Sequence, residues 1–220
     1  MTVKKNRHKY MKFHKTVSYL FHPIIFPIIG TILYFIFLPK HISSRTERSL
    51  ILTVFITTYL LPMLFVYLLK RMEMIESYEM ETIEERKFPL LFLTILSYLL
   101  GIMLYRTHIV EELAVFYFGM TLTLLISYFL LYVRFKISLH AIGIGGLIGF
   151  LGVLSFIYEL NLIVILALFF IIAGAIMTSR LKLKAHESKE VYFGFAMGLL
   201  AQVIVYAIYN SSNIFRSLNF

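Results

Sequence analysis

The sequence predicts an all-α fold, a polytopic bundle of six to seven transmembrane helices. Three observations support this class. Of the 220 residues, 60% are hydrophobic and 16% aromatic, and the mean hydropathy is +0.83, which leaves too little polar surface for a water-soluble domain of this size. The apolar residues are grouped into stretches of about 20 residues, the length that a helix needs to cross the hydrocarbon core. Short polar segments separate these stretches and carry most of the charge.

Seven stretches are long and apolar enough to be spans. The first contains Pro23 and Pro27 and lacks a small-residue cleavage site, so we expect a retained span and not a removed signal peptide. No internal repeat or low-complexity linker interrupts the chain, so we expect one transmembrane domain over 1–220. The predicted spans are 18–38, 49–69, 88–105, 112–133, 138–157, 160–178 and 190–208.

Residues 1–17 form a basic N-terminal segment. Between Met1 and Thr16 there are six Lys and Arg residues and no acid, with Tyr10 and Phe13 among them. This composition is typical of an interfacial anchor attracted to anionic lipid headgroups. Nucleic-acid binding is the remote alternative, and we expect no such partner because a short membrane-tethered arm has no surface for reading bases.

The distribution of Lys and Arg predicts the orientation. With seven spans, the N-terminus and the loops 70–87, 134–137 and 179–189 lie on one side of the membrane. That side carries 16 of the 21 Lys and Arg residues, so the positive-inside rule places it in the cytoplasm. We therefore expect a multi-pass protein of the bacterial inner membrane. If 18–38 is a re-entrant segment, the same loops face outward.

Composition excludes several classes of function. Without cysteine, disulfides, zinc–thiolate sites and thiol nucleophiles are excluded. All 12 acidic residues are glutamate, so the aspartate-rich metal motifs of intramembrane prenyltransferases and CDP-alcohol phosphotransferases do not fit. The middles of the spans carry almost no charge, which argues against a transporter. The acidic run 73–85 contains no histidine and predicts a solvated helix or elbow, and the glycine run 141–149 predicts close helix packing.

The segment Ser179–Gly194 carries the strongest functional pattern. Arg180 is followed by His186 after five residues, and Glu190 follows after three more. A guanidinium binds phosphoryl oxygens in a fork, and an imidazole can attack phosphorus or move a proton. A carboxylate four residues after the histidine lies on the same face of a helix and can fix the tautomer of the ring. The spacing predicts a phosphate site at a membrane surface.

Lys136, Ser138 and His140 lie at the predicted start of the fifth span. The free N–H groups and the dipole of a helix N-terminus favour anions. Ser138 is a natural N-cap and can also donate to a phosphate, and His140 can protonate a leaving alkoxide.

Arg86 and Lys87 precede the predicted third span and can bind phosphoryl oxygens from a second direction. Pro89 is expected in the first turn of that span. Flanking positive charge is the alternative interpretation of this basic pair.

These segments resemble the three signatures of the type 2 phosphatidic acid phosphatase (PAP2) superfamily, over roughly residues 70–200. The third signature is SR, five residues, H, three residues, D, and Ser179–Glu190 is similar to it. The second is PSGH, similar to Ser138-Leu139-His140, and the first ends in RP, similar to Arg86-Lys87-Phe88-Pro89. A vanadate-dependent haloperoxidase shares the family's site but is usually soluble.

The resemblance implies an integral membrane phosphatase for lipid phosphates or diphosphates, such as phosphatidic acid or a prenyl diphosphate, with no cofactor and no metal. It implies that His186 is the nucleophile and forms a phosphohistidine, that His140 is the general acid, and that Glu190 holds the nucleophile. The implied phosphate-binding residues are Arg180, Arg86, Lys87, Ser138 and Lys136.

Several positions depart from the family pattern. Glu190 stands where the family has aspartate, and Ile137 and Leu139 replace the proline and glycine of the second signature. The lysine of the first signature falls on Glu79 if Arg86 is counted as its arginine, or on Met80 if Lys87 is counted. These departures favour the alternative, a non-catalytic PAP2-like membrane protein that binds phospholipid headgroups or partner helices. The sequence leaves the lipid and the oligomeric state open.

Overall fold

The computed structural model describes residues 2–39, 42–78, 80 and 82–218, and the side chains of 2–9 and 213–218 are not described. The described residues contain helices and turns and no strand. Seven helical stretches are long and apolar enough to cross a membrane, which confirms the all-α polytopic bundle. They are Tyr10–Phe37, Ser44–Arg71, Ile83–Arg106, Glu111–Tyr132, Leu139–Ile157, Ile163–Lys182 and Ser188–Ser212.

The first two spans are each built from two helices, and the other five are single helices. A 3₁₀ turn at Pro23–Ile25 joins the two parts of the first span, and a π turn at Ile56–Leu60 joins those of the second, close to Pro27 and Pro62. The helices are α1 (Thr2–Leu20), α2 (Phe26–Phe37), α3 (Ser44–Phe55), α4 (Leu61–Arg71), α5 (Ile83–Arg106), α6 (Glu111–Tyr132), α7 (Leu139–Ile157), α8 (Ile163–Lys182) and α9 (Ser188–Leu218).

The glycine-rich helix α7 forms the centre of the bundle and packs closely against α9. A Cβ atom on Gly145 would lie 2.3 Å from the carbonyl oxygen of Phe195, and one on Gly198 would lie 2.3 Å from that of Ile142. The absence of side chains therefore lets the two backbones approach. The prediction that the glycine run serves helix packing is confirmed.

The third span begins earlier than predicted, which changes the placement of its residues. Thr82 caps α5 and forms a capping box with Glu85, so the helix starts at Ile83. Arg86 therefore lies in the helix and not in a loop. Pro89 lies inside the helix, so the prediction that it opens the span is wrong. At the sixth span, α8 likewise continues to Lys182 and carries Arg180 in its last turn.

The acidic run forms an elbow before α5. Residues 72–78 are in turns and bends or lack regular structure, and the main-chain N–H of Glu76 donates to the carboxylate of Glu85. Several residues of the predicted acidic and basic segments lie outside the described part of the chain: Glu79 and Glu81, and the side chains of Lys4, Lys5, Arg7 and Lys9.

Candidate functional site

Five residues from separated parts of the chain meet at one end of the bundle; together we call them the candidate site. Arg86 on α5 interacts electrostatically with Arg180 on α8 and with Glu190 on α9. His140 on α7 interacts in the same way with Arg180 and His186. The structure therefore brings together the three predicted catalytic residues and two of the predicted phosphate-binding residues, which lie up to about 100 positions apart in the sequence.

His186 lies in the turn before α9, and Glu190 lies in the first turn of that helix. The Nδ1 atom of His186 is 2.9 Å from Glu190 Oε2 and 3.0 Å from the carbonyl oxygen of Lys136. Because a carbonyl oxygen only accepts, Nδ1 carries the proton, and the lone pair of the neutral ring is on Nε2. The same carboxylate oxygen accepts from the main-chain N–H of Glu187 at 3.0 Å, which fixes its position.

The surroundings of His186 keep its ring neutral. Burial is the largest cause that lowers the pKa of His186 below its ordinary value of 6.5, and the positive charges of Arg86 and Arg180 lower it further. The hydrogen bond to Glu190 opposes this shift. A neutral imidazole with a free Nε2 is the form of histidine that can act as a nucleophile.

Arg180 and His140 both contact Ser18 of the N-terminal helix. Arg180 Nη1 donates to Ser18 Oγ at 2.6 Å. His140 Nε2 lies 3.1 Å from the carbonyl oxygen of Ser18 and 3.3 Å from its Oγ. Because the carbonyl oxygen is an acceptor, His140 carries a proton on Nε2. The ring of His22 stands edge-on to that of His140, with 5.7 Å between the centroids.

Ser138 is the N-cap residue of α7, as predicted, but its side chain makes no capping hydrogen bond. Its main-chain N–H donates to the carbonyl oxygen of Glu190 at 3.3 Å, which joins the start of α7 to the start of α9. The Ser138 hydroxyl is buried and has no hydrogen-bond partner among the described residues. Phosphate binding by Ser138 stays a prediction.

The other three predicted phosphate-binding residues have different surroundings. The Nε atom of Arg86 donates to the carbonyl oxygen of Met80 at 2.8 Å, which orients its guanidinium. The Nζ atom of Lys87 lies 5.3 Å from the centre of the Tyr132 ring in a cation–π contact. The carbonyl oxygen of Lys136 accepts from His186, and Lys136 also lines an open depression of about 480 Å³. Thr82, Ile83, Glu84 and Arg134 line the rest of this depression.

Sequence reasoning missed the contribution of the N-terminal helix. His14 is 3% exposed, and its Nδ1 lies 3.0 Å from the hydroxyl of Ser179. His14, Ser18 and His22 are spaced four residues apart; His14 and Ser18 lie along one side of α1, and His22 follows the end of that helix. This spacing of polar residues in an otherwise apolar and basic stretch is the sequence signal for the contribution of the N-terminal helix. It lies within residues 1–17, interpreted as an anchor, and 18–38, interpreted as the first span.

Within the described ranges, no group of three or more His, Cys, Asp or Glu side chains is arranged to hold a metal ion. The polar donors of the candidate site are instead guanidinium and imidazole groups, which suit an oxyanion. Comparison with protein-family models, curated proteins and solved structures finds no match for this chain.

Proposed function

We propose that this protein is a membrane-integral phosphatase that hydrolyses a lipid phosphate or diphosphate through a phosphohistidine intermediate. One observation carries the proposal: His140 and His186 both interact electrostatically with Arg180 at one end of the bundle, beside Arg86 and its two carboxylates Glu190 and Glu85. The two guanidiniums bring donors to a partly buried place where a phosphoryl group can bind them in forks. The neutral nucleophile His186 adjoins these guanidiniums.

The proposed reaction has two steps. Nε2 of His186 attacks phosphorus while the proton stays on Nδ1, where it is hydrogen-bonded to the carboxylate of Glu190 and the carbonyl oxygen of Lys136; these two acceptors stabilise the positive ring. The P–O bond to the lipid breaks, and the departing oxygen takes a proton from the imidazolium form of His140, which a bound phosphate dianion favours. Water then cleaves the P–N bond, and His140 takes a proton from that water. Arg180 and Arg86 stabilise the charge on the phosphoryl oxygens.

The position of the site in the spans supports a lipid substrate. His140 is the second residue of α7, Arg180 lies in the last turn of α8, and His186 lies just before α9. Helix ends lie at the level of the lipid headgroups when the apolar stretches cross the hydrocarbon core. A headgroup phosphate can therefore reach the site while its chains stay in the bilayer. The depression beside Lys136 and Arg134 adds positive charge at the same end.

The decisive experiment measures phosphate release from phosphatidic acid and from a prenyl diphosphate by the full chain in detergent, with EDTA present. His186→Ala should abolish release. His108→Ala is the matched control, because His108 is an exposed histidine at the opposite end of the spans that pairs with Glu111, and it should keep the wild-type rate. With substrate labelled at phosphorus, the wild-type chain should carry acid-labile label and His186→Ala should carry none. This difference would identify the phosphohistidine. No release from either lipid class would refute the phosphatase.

A second function, lipid-phosphate binding without hydrolysis, is favoured by one observation. The side chain of His186 is only 2% exposed, so a substrate must displace part of the surroundings before the ring can attack. Tight binding of phosphatidic acid vesicles by the wild type, lost in Arg180→Ala and accompanied by no phosphate release, is the result that this alternative predicts.

A further inference from the structure

The hydroxyl of Ser18 lies between two of the groups expected to bind phosphate. It accepts a hydrogen bond from Arg180 Nη1 at 2.6 Å, and His140 Nε2, which is 3.1 Å from the carbonyl oxygen of Ser18, lies 3.3 Å from the same hydroxyl oxygen. Arg180 comes from the end of α8 and His140 from the start of α7, whereas Ser18 belongs to α1. An oxygen atom from the N-terminal helix therefore occupies the space where these two donors converge.

The chemistry of this arrangement matches one contact of a bound phosphate. A phosphoryl oxygen accepts hydrogen bonds from guanidinium and imidazole N–H groups, and the charge on both partners makes those bonds stronger than bonds to a neutral hydroxyl. We propose that Ser18 Oγ occupies the subsite of a phosphoryl oxygen, so that α1 is an intramolecular competitor of the substrate and moves aside before a phosphate-bearing lipid binds. The identity of that ligand rests on the function proposed above.

The contacts of α1 suit an element that can both close and open the site. Closure is supported by His14, which contacts Ser179 of α8, and by Val17, which is buried in the main core cluster. Beyond Ser18 the helix ends at Leu20, and the 3₁₀ turn at Pro23–Ile25 separates it from α2. Proline at that break removes main-chain hydrogen bonds that would otherwise couple the two helices rigidly. The break is therefore the hinge about which α1 can move.

Competition of this kind weakens the apparent affinity by the fraction of molecules in the open state. Removing the hydroxyl should consequently tighten the binding of any tetrahedral oxyanion. Loosening α1 without touching Arg180 or His140 should have the same effect. If Ser18 instead serves to position Arg180 for the ligand, removing the hydroxyl should weaken the binding of the oxyanion. The two roles of Ser18 therefore predict opposite changes in affinity.

The test measures the affinity of the full chain in detergent for inorganic phosphate and orthovanadate by calorimetry. Ser18→Ala should bind about tenfold more tightly than the wild type, and His14→Ala should also bind more tightly. Ser18→Thr keeps the acceptor and should resemble the wild type. Ser127→Ala is the matched control, since Ser127 is a buried serine on α6 whose hydroxyl donates to Thr123, and its affinity should not change.

A cross-link tests the same proposal without removing the hydroxyl. The chain contains no cysteine, so the double variant His14→Cys/Ser179→Cys can be joined by a short thiol-reactive linker that holds α1 on α8. The cross-linked form should lose oxyanion binding, and the same variant without linker should retain it. Unchanged binding after cross-linking overturns the proposal, and so does unchanged or weaker binding by Ser18→Ala.

These binding results are separate from turnover. Tighter oxyanion binding by Ser18→Ala without phosphate release from any lipid would support the competitor and refute the phosphatase. Phosphate release that depends on His186, combined with unchanged affinity in Ser18→Ala, would support the phosphatase and refute the competitor. Failure of both the wild type and Ser18→Ala to bind either oxyanion refutes the subsite itself.

Discussion

Glu190 Oε2 lies 2.9 Å from His186 Nδ1, although glutamate is one methylene longer than the aspartate found in the signature that this segment resembles. The contact forms because His186 precedes α9 and Glu190 lies in its first turn, so the two residues do not follow ordinary helical geometry. The main-chain N–H of Glu187 and the carbonyl oxygen of Lys136 complete the arrangement. The side chain of Glu190 therefore reaches the His186 ring from the first turn of α9.

The first prediction concerns this pair. Glu190→Gln keeps the shape of the side chain but removes the charge that stabilises a positively charged His186 ring, so kcat for lipid-phosphate hydrolysis should fall by about 10²- to 10⁴-fold. KM should change little, since Glu190 does not bind phosphate in the proposed reaction. Glu187→Gln is the control, because Glu187 is exposed and pairs with Lys189 at 3.0 Å. Equal rates in the two variants would contradict the role of Glu190.

A second prediction follows from the pKa of His186, which burial lowers below 6.5. As the pH falls below 6.5, the unfolded chain takes up a proton at this residue and the folded chain does not. Folding stability therefore rises with pH in this range: the contribution of the neutral ring is complete above pH 6.5 and is lost as the pH falls. Between about pH 7.5 and about pH 5, the wild type should lose about 1–2 kcal/mol more than His186→Gln.

Denaturation of both proteins in detergent, followed by circular dichroism at each pH, measures this difference. His108→Gln serves as the control, since His108 is exposed and should leave the pH dependence of the wild type unchanged. Parallel stability curves for the wild type and His186→Gln would mean that the ring is not held neutral in the folded protein.

The third prediction concerns the close contact between α7 and α9. A methyl group at Gly198 would meet the main-chain atoms of Ile142 at 2.3 Å, and backbone cannot move aside as a flexible side chain can. Gly198→Ala should therefore lower the stability by about 1–3 kcal/mol. Gly174→Ala on α8 is the matched control, because a Cβ there has no neighbour within 4 Å, and it should be neutral or slightly stabilising. Thermal unfolding in detergent measures both, and equal melting temperatures would contradict the packing argument.

The sequence predicts the seven spans because each is long enough to cross the hydrocarbon core by itself. Span boundaries were less accurate where capping determines them. The capping box of Thr82 and Glu85 starts α5 at Ile83, and its Thr-x-x-Glu pattern was readable in the sequence. The spacing of Arg180, His186 and Glu190 predicts that they lie close together, because they belong to the end of α8, the connection that follows it and the start of α9. Ser18 could not be placed beside Arg180, since no local pattern encodes the crossing of α1 over the end of α8.

The last prediction separates two neighbouring cations that the sequence treats alike. Arg86 and Lys87 were both expected to bind phosphate. Arg86 interacts with Arg180 and Glu190, whereas the Nζ of Lys87 lies over the Tyr132 ring. Arg86→Ala should lower kcat/KM for lipid-phosphate hydrolysis by about 10- to 100-fold, the effect of losing a charged hydrogen bond to the ligand. Lys87→Ala should stay within about threefold of the wild type, since an exposed cation–π contact is weak.

Steady-state kinetics of the two single variants and of Arg86→Lys make the comparison. Lysine keeps the charge but cannot reproduce the guanidinium bond to the carbonyl oxygen of Met80 together with a fork toward phosphate, so Arg86→Lys should restore only part of the loss. A larger loss in Lys87→Ala than in Arg86→Ala would mean that the ammonium leaves Tyr132 to bind the substrate. The basic pair would then act through Lys87, and Arg86 would serve only to join the turn at Met80 to α5.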